Sequence, residues 1–352
     1  MKGVILHGGH GTRLRPLTYA RPKQLLPIAN VPMSQYGLES IKETGINEIA
    51  IIIGGNNSDK VREFYGDGSN FGVKITYIEQ DEPRGIAHAI GLCEKFVNNE
   101  KFLVFLGDNV ILRKLSDYAI EFEKSSDAAK ILLCEVSNPK QFGIADIFED
   151  GSIKKIMEKP KNPPTNLAVI GIYFLTDEIF KIIKNLEPSW RNELEITDAL
   201  QILLETKKRI SYNTITKYWK DTGTIEDIID ANKTILENSE SYCKTKNNLN
   251  YKQTNNIMIG NNVSFGKNVS LHGPVIIGDN CKIEECILGP NVSIGNNTEL
   301  DECKIKNSII MENVTIKNKI NLNNSIISYN NKITSENKEK SLILCEDSKL
   351  EL

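Results

Sequence analysis

The chain opens with Met1-Lys2-Gly3-Val4-Ile5-Leu6-His7-Gly8-Gly9-His10-Gly11-Thr12-Arg13-Leu14-Arg15-Pro16, the stretch that decides the fold of its N-terminal part. Residues 4–6 predict a short buried strand, and a glycine-rich loop follows it at once. Because glycine has no Cβ, backbone N–H groups can approach phosphate oxygens, although a tight turn would also need glycines. Arg13, Arg15 and Lys23 favour a bound anion, because guanidinium and ammonium groups both contact phosphate.

Alternating strands and helices follow this loop. The apolar spacing predicts strands at 49–53, 74–78 and 102–106 and helices at 33–44 and 85–96. Segments 143–148 and 152–158 flank Glu149-Asp150-Gly151, a hairpin signal. The alternation predicts an α/β, Rossmann-like domain with a mixed, mostly parallel sheet and an antiparallel excursion.

The character of the sequence changes near residue 239. Beyond a polar segment, apolar residues recur every six positions in two registers, one at Ile257, Val263, Val269 and Val275, the other at Ile259, Phe265, Leu271, Ile277 and Ile283. This period predicts a hexapeptide-repeat solenoid, a left-handed parallel β-helix, whose flat faces we expect to form a homo-oligomer. The predicted division is an N-terminal domain at 1–238, a linker at 239–255, the β-helix at 256–335 and a tail at 336–352.

Length and composition exclude several functions. The 352 residues carry a formal net charge of −3, which disfavours nucleic-acid binding through a broad basic patch. No apolar run approaches the roughly 20 residues that span a bilayer, so we expect no membrane association. The seven cysteines form no C-x-x-C pair, and the opening apolar stretch is too short for a signal peptide. We therefore expect a cytoplasmic protein.

Two aspartates are candidate metal ligands. Asp108 follows the apolar run 102–106, where ligands bind in an open α/β sheet, and Asp221 follows Tyr218-Trp219. Two carboxylates converging from strand ends would suit Mg²⁺, which takes oxygen ligands and substrate phosphates. Either aspartate alone would more often be a turn or helix-cap residue.

A series of motifs resembles the sugar-1-phosphate nucleotidyltransferases, or pyrophosphorylases. Gly9-x-Gly11-Thr12-Arg13 followed by Lys23-Gln24-Leu25-Leu26-Pro27 is similar to the family signature. His7 and His10 depart from the small residues usual in that loop. The nearest branch is the long-form glucose-1-phosphate thymidylyltransferases, which carry a C-terminal hexapeptide-repeat domain. Further motifs occur in the family's order: Gln80 to Ala89, Leu106-Gly107-Asp108-Asn109, Phe142-Gly143, Glu158-Lys159-Pro160, Val169 to Phe174, Glu193 to Asp198 and Trp219-Lys220-Asp221-Thr222-Gly223.

The resemblance implies transfer of a nucleotide from a nucleoside triphosphate to a sugar 1-phosphate, with Mg²⁺ held by Asp108 and Asp221. It implies that Arg13 stabilises the leaving pyrophosphate and that Lys23 and Lys159 hold the α-phosphate or the sugar phosphate, which makes these three and Asp108 the catalytic residues. The implied nucleotide-binding residues are Leu6, Gly8, Gly9, Gly11, Thr12, Arg13, Gln24, Gln80 and Gly85. The implied sugar-phosphate-binding residues are Asn109, Gly143, Glu158, Lys159 and Val169.

The choice of base and sugar rests on two segments. The Gln80 amide can donate and accept, which matches a pyrimidine, although Gln80 to Gly85 would also suit a polar turn. Glu158 would accept hydrogen bonds from sugar hydroxyls, although Glu158-Lys159 would also suit a solvated charge pair. The resemblance favours dTTP and glucose 1-phosphate, with dTDP-glucose and pyrophosphate as products.

Two other functions stay open. The first is a UTP-using enzyme acting on glucose 1-phosphate or N-acetylglucosamine 1-phosphate, with an acetyltransferase solenoid. That activity usually needs an imidazole base, and His272, the solenoid's histidine, stands where other coils carry glycine. The second is a sugar-nucleotide sensor without turnover, which the presence of Arg13, Lys23, Asp108 and Asp221 disfavours.

We predict that Asp108→Asn abolishes metal-dependent turnover and leaves the fold intact, because the change keeps the shape of the side chain and removes its charge. Pyrophosphate release by the purified variant measures the first effect and circular dichroism the second. Turnover at the wild-type rate would show that Asp108 is not a metal ligand.

Overall fold

The computed structural model describes residues 1–9, 11–55, 57–244, 251–253, 256–334 and 339–351. It divides into two compact units, the first formed by Met1–His10 and Ser34–Asp221, the second by Gly11–Met33 and Thr222–Leu352. This division differs from the boundary predicted at residue 238, because Gly11–Met33 and the segment from Thr222 through α8 belong with the C-terminal strands. Among the described residues, none of the helices has the length and apolar character that crossing a membrane requires.

The secondary structure of the described residues is as follows. The helices are α1 Met33–Lys42, α2 Asp59–Tyr65, α3 Ile86–Gly91, α4 Glu94–Val97, α5 Ser116–Lys124, α6 Glu178–Ile183, α7 Ile196–Glu205 and α8 Ile225–Glu237. The first strands are β1 Lys2–Leu6, β2 Pro27–Ile28, β3 Val31–Pro32, β4 Glu48–Ile53, β5 Lys74–Glu79, β6 Phe102–Leu106, β7 Asn109–Ile111, β8 Ala129–Glu135, β9 Gly143–Ile147, β10 Ile153–Glu158, β11 Leu167–Leu175, β12 Ile210–Ile215 and β13 Trp219–Asp221. The C-terminal strands are β14 Tyr242–Cys243, β15 Tyr251–Gln253, β16 Ile257–Ile259, β17 Ser264–Phe265, β18 Val269–Leu271, β19 Val275–Ile277, β20 Lys282–Glu284, β21 Ile287–Leu288, β22 Val292–Ile294, β23 Glu299–Asp301, β24 Cys303–Lys306, β25 Ser308–Ile310, β26 Thr315–Lys317, β27 Ile320–Asn323, β28 Ile326–Ile327, β29 Lys332–Thr334, β30 Glu339–Lys340, β31 Ile343–Leu344 and β32 Lys349–Glu351.

A nine-stranded sheet organises the first unit. Its main order is β10-β9-β11-β6-β1-β4-β5, and β8 joins β11 to β12. Strands β5, β4, β1 and β6 run parallel, as does the β8–β12 pair. Strand β11 is antiparallel to β6, β8 and β9, and β9 is antiparallel to β10. The sheet is mixed as predicted, but parallel pairing predominates only on the β5 to β6 side, because the nine-residue β11 is antiparallel to each of its three partners.

The sequence predicted the local elements of this unit well. Strand β6 has the predicted bounds, and β9 and β10 form the predicted hairpin, in which the Ser152 N–H donates to Asp150 Oδ1 (2.8 Å). The predicted helix at 85–96 is divided into α3 and α4. Strands β1, β4 and β6 are buried along almost their whole length, as continuous apolar strands covered on both faces should be.

The second unit contains three sheets of parallel strands, which is consistent with a β-helix. Their orders are β14-β16-β19-β22-β25-β28-β31, β15-β18-β21-β24-β27-β30 and β17-β20-β23-β26-β29-β32. Strands β14 and β15 lie in the predicted linker and β30 to β32 in the predicted tail, so the stack exceeds the predicted bounds of 256–335. The predicted tail continues the strand pairing of the β-helix region, since Ile333 pairs with Leu350.

The six-residue period of the sequence slips near Gly289-Pro290, and this slip has a simple structural cause. Ile259 pairs with Ile277, whereas Leu271 pairs with Leu288, so the second step is shorter by one residue. Gly289, with a φ of 103°, lies in this shortened coil, and its backbone lies against the carbonyl of His272. Because the shortening falls in a turn, the buried residues stay aligned across the slip.

At one corner of the stacked coils, asparagine side chains form a ladder of hydrogen bonds. Asn262, Asn280, Asn297, Asn313 and Asn330 each donate from Nδ2 to the side-chain oxygen of the next coil, at 2.8 to 3.2 Å, and Asp347 accepts the last bond. All six residues have left-handed φ values of 53° to 62°. Asparagine tolerates this conformation better than other side chains, so one residue type satisfies both the turn and the ladder.

We predict that Asn297→Ala lowers the melting temperature more than Asn297→Gly. Both variants lose two ladder hydrogen bonds, but alanine also places a Cβ in the left-handed conformation, at a cost of about 1–2 kcal/mol that glycine avoids. Thermal unfolding of the full chain, followed by circular dichroism, measures the difference. Equal melting temperatures for the two variants would show that the backbone conformation contributes little.

Candidate functional site

The glycine loop begins at His7, where the chain leaves the end of β1 in the sheet of the first unit. The His7 N–H donates to the Ile52 carbonyl (2.9 Å), and the Gly107 N–H donates to the Leu6 carbonyl (2.9 Å). A Cβ on Gly8 would lie 3.1 Å from Oε1 of Gln80, so this glycine gives the Gln80 amide its space. Gly9 has a φ of 97°. Leu6, Gly8, Gly9 and Gln80, predicted to bind nucleotide, therefore lie close together.

His7 is a buried residue of this loop. Its ring is 3% exposed and contacts Tyr65 edge-on, with the ring centroids 6.0 Å apart. Burial lowers the pKa of His7 to about 3, against the opposing effect of the Asp108 carboxylate. The imidazole is therefore neutral at physiological pH and acts as a packing group. His10 lies outside the described residues.

Strand pairing brings the two predicted metal ligands together. Strands β7 and β13 are antiparallel, and Asp221 pairs with Asn109, the neighbour of Asp108. The buried Asn109 side chain donates from Nδ2 to Asp108 Oδ1 (2.9 Å) and accepts from Trp219 Nε1 (2.7 Å). The predicted sugar contact Asn109 thus also orients a carboxylate.

The chemistry of this pair fits Mg²⁺. Among the residues that the structure describes, no group of three or more histidine, cysteine, aspartate and glutamate side chains could hold a metal. Mg²⁺ does not need such a group, because proteins commonly bind it through one or two carboxylates and leave the other positions to water and substrate phosphates. Asp108 and Asp221 supply that number of carboxylates.

The predicted sugar-binding residues gather around the β9–β10 pair. Gly143 pairs with Glu158, and a Cβ on Gly143 would lie 3.3 Å from Glu158 Oε2. Thr197 Oγ1 donates to Glu158 Oε2 (3.0 Å), and Lys159 Nζ lies 3.5 Å from Glu158 Oε1. Val169 is buried on the neighbouring strand β11. The Glu158 carboxylate is therefore fixed in place and does not belong to a solvated charge pair.

Sequence reasoning missed Arg191 as a member of this cluster. Its guanidinium lies 3.4 Å from Glu158, 3.1 Å from Glu195 and 2.9 Å from Glu193. Burial raises the pKa of Glu195, and the Glu158 charge raises it further. Arg191 therefore offsets the repulsion among three carboxylates, and the signal that could have revealed it is an arginine followed by glutamates two and four residues later.

The buried phenol of Tyr173 is influenced by one carboxylate of the predicted metal site and one of the predicted sugar site. Burial raises the pKa of Tyr173, and the charges of Glu158 and Asp108 raise it further. The charges of the predicted sugar ligand Glu158 and the predicted metal ligand Asp108 therefore both act on one buried side chain of the first unit.

A neighbouring residue orients the Gln80 side chain, and another leaves no space for a side chain at Gly85. Gln80 Nε2 lies 3.0 Å from Nδ1 of His88, whose pKa is lowered chiefly by burial, so the neutral imidazole can accept this hydrogen bond. Gly85 has a φ of 107°, and a Cβ there would collide with the backbone of Leu194. His88, which sequence reasoning also missed, orients the amide that we expect to read the base.

The second unit contains the remaining predicted residues. Thr18 Oγ1 donates to the Gly11 carbonyl (2.8 Å), and a Cβ on Gly11 would lie 3.3 Å from Lys23 Cβ. Thr12 and Arg13 form a turn of 3-10 helix, and a Cβ on Gly223 would lie 3.4 Å from the Arg13 guanidinium. Lys23 and Gln24 are buried. These residues therefore lie close together within the second unit.

Comparisons with known proteins identify the family of the chain. Residues 2–238 match the family model described as Nucleotidyl transferase, and residues 271–351 match that of the GMPPB C-terminal domain. The chain is 49% identical over 237 residues to the low-salt glycan biosynthesis nucleotidyltransferase Agl11 of Haloferax volcanii, covering 67% of this chain and 66% of that protein. It is 38% identical over 294 residues to a glucose-1-phosphate thymidylyltransferase of Streptomyces antibioticus, covering 83% and 82%. A solved UDP-glucose pyrophosphorylase complexed with UDP-glucose superposes with a TM-score of 0.61 at 28% identity, covering 68% of this chain and 99% of that one.

We predict that His7→Phe weakens the dependence of stability on pH. The unfolded chain binds a proton on His7 near pH 6.5, whereas the folded chain resists it down to about pH 3. Stability from the neutral ring is therefore fully present above pH 6.5 and is lost as the pH falls through this window, by roughly 2 kcal/mol at about pH 5.

Melting temperatures at neutral and mildly acidic pH test this prediction. The wild-type protein should lose more stability between the two conditions than His7→Phe, and the exposed His272→Phe serves as the matched control variant. The same loss in wild type and His7→Phe would show that His7 does not cause the pH dependence.

Proposed function

Because the chain belongs to the nucleotidyl transferase family, we propose that this sugar-1-phosphate nucleotidyltransferase transfers dTMP from dTTP to glucose 1-phosphate, releasing pyrophosphate. The Streptomyces relative matches most of this chain and bears the name of that activity. The single structural observation that carries the choice of base is the Gln80 amide beside Gly8. It places a donor and an acceptor next to the glycine loop, where the imide edge of thymine would need both.

The reaction needs no protein nucleophile. A phosphate oxygen of the sugar substrate attacks the α-phosphorus, and the bond from that phosphorus to the bridging oxygen breaks as pyrophosphate leaves with the electron pair. The attacking oxygen is already ionised, so the protein contributes positioning and neutralisation of charge. Arg13 stabilises the leaving pyrophosphate, and Lys23 and Lys159 hold the α-phosphate or the sugar phosphate. Mg²⁺ bound by Asp108 and Asp221 would supply further positive charge beside these phosphates.

Glu158 selects the sugar in this proposal. Its carboxylate is held by Thr197, Arg191 and Lys159, so its remaining acceptor positions point in fixed directions. A fixed carboxylate can accept hydrogen bonds from two hydroxyls of a hexose, and its orientation then distinguishes sugars that differ in one hydroxyl.

A uridylyl transferase is the second candidate, because a UDP-glucose pyrophosphorylase shares the fold. Thymine and uracil differ by one methyl group, which is worth only about 1–3 kcal/mol in a binding pocket. UTP should therefore be a weaker substrate that is still used.

The three parallel sheets have a structural role in this proposal. The six-residue spacing and the three parallel sheets support a β-helix, which in this proposal is left-handed. Its flat faces would join copies of the chain in a homo-oligomer. His272, the candidate acetyltransferase base, lies exposed at a turn of the shortened coil.

Pyrophosphate release tests the proposal when four nucleoside triphosphates are crossed with several sugar 1-phosphates. We expect the highest kcat/KM for dTTP with glucose 1-phosphate, roughly 10- to 200-fold lower values for UTP, and none without Mg²⁺. A strong preference for UTP would overturn the thymidylyl assignment. A lack of turnover with every pair would overturn the proposed activity.

A further inference from the structure

The segment that carries Arg13 and Lys23 is packed within the second unit, together with the parallel strands. Lys23, Gln24 and Leu25 form a short turn of 3-10 helix, and Lys23 itself is buried. A buried lysine that must place its ammonium group against a phosphate needs a backbone that does not move. Contacts on both sides of this turn meet that need.

Arg21 provides the contact on the N-terminal side. Its guanidinium donates from Nε and Nη2 to the two carboxylate oxygens of Glu346, at 3.0 and 3.1 Å. The guanidinium carbon also lies 3.8 Å from the centroid of the Tyr329 ring. A bidentate pair stacked on an aromatic face fixes the position and the plane of the guanidinium, and a lysine could not reproduce it.

The hairpin of β2 and β3 provides the contact on the C-terminal side. Its two turn residues, Ala29 and Asn30, both have positive φ values, of 48° and 63°. The Ala29 N–H donates to Oδ1 of the buried Asn232 on α8 (2.8 Å), which also accepts from Ser293 Oγ (2.6 Å). Asn30 Nδ2 donates to the Ile294 carbonyl (2.6 Å).

The contacts of Arg21 and those of the β2–β3 hairpin restrict the movement of the chain between them. Only Pro22 separates Arg21 from Lys23, and the proline ring fixes its own φ. Beyond the turn, the Leu26 N–H donates to the Lys23 carbonyl, and Met33 N–H donates to the Leu26 carbonyl, both at 3.0 Å. The coils around Tyr329 and Glu346 therefore determine where the Lys23 backbone lies.

We propose that Arg21 is a positioning residue for nucleotidyl transfer and that the last coils of the parallel stack, through Glu346 and Tyr329, hold it so that Lys23 meets the triphosphate. This proposal rests on the proposed function. The C-terminal strands then contribute to catalysis through the loop they support and have no reactive group of their own in the reaction.

Glu346→Gln in the full chain tests the proposal, because it removes the charge and keeps the shape of the partner. We expect kcat/KM for dTTP to fall roughly tenfold or more, since a small misplacement of a binding group has a large effect on rate. KM for glucose 1-phosphate should stay at the wild-type value, because the predicted sugar-binding residues belong to the other unit. Glu299→Gln is the matched control, since Glu299 pairs with Lys317 on the same stack (3.4 Å) and should leave both constants unchanged.

The outcomes separate the two proposals. An active wild type with unchanged dTTP kinetics in Glu346→Gln would overturn the positioning role. So would a lower melting temperature together with a KM for glucose 1-phosphate that rises as much as the KM for dTTP. A wild type without turnover would overturn the proposed function, and the positioning role with it. Arg21→Lys, which keeps the charge and loses the bidentate stacked contact, should reproduce the dTTP-specific loss, and it decides the test if Glu346→Gln does not fold.

Discussion

The parallel pairing of β1 with both of its neighbours is the constraint on which the first unit's site depends. The register places Leu6 opposite Ile52 on one side and opposite Leu106 on the other. Backbone hydrogen bonds continue this alignment one residue beyond the strand ends. The start of the glycine loop and the Asp108 loop therefore leave the sheet side by side. A slip of one residue would turn every side chain of β1 to the opposite face and separate the two loops.

Local patterns predicted much of this architecture. The bounds of β6, the β9–β10 hairpin and the six-residue period all depend on residues close together in the chain, so sequence spacing contains them. The grouping of Gly8 with Gln80, and of Gly143 with Glu158, agrees with roles that the family resemblance implied. The mostly parallel sheet was a less accurate prediction, because a continuous apolar strand such as β11 can pair in either direction.

Long-range contacts could not be predicted in the same way. The β7–β13 pair joins Asn109 to Asp221 across more than a hundred residues, and no spacing rule encodes that register. The role of Arg191 depends on carboxylates from separate strands and loops. His7 is the clearest case, since the loop sequence indicated no role for it, whereas its burial beside Tyr65 makes it a neutral packing group. Burial is decided by the whole fold, so a single loop sequence does not reveal it.

The asparagine ladder has a direction, and it ends on a different residue type. Each amide from Asn280 to Asn330 both receives and gives a hydrogen bond, so the pattern could continue through any number of coils. Asp347 receives the last bond but, as a carboxylate, has no proton to give. A coil from another molecule placed on this corner would meet an acceptor where the pattern requires a donor. Parallel strands with an open edge can pair with another molecule, and the acid that stands at position 347 in place of an amide opposes continuation of the ladder there.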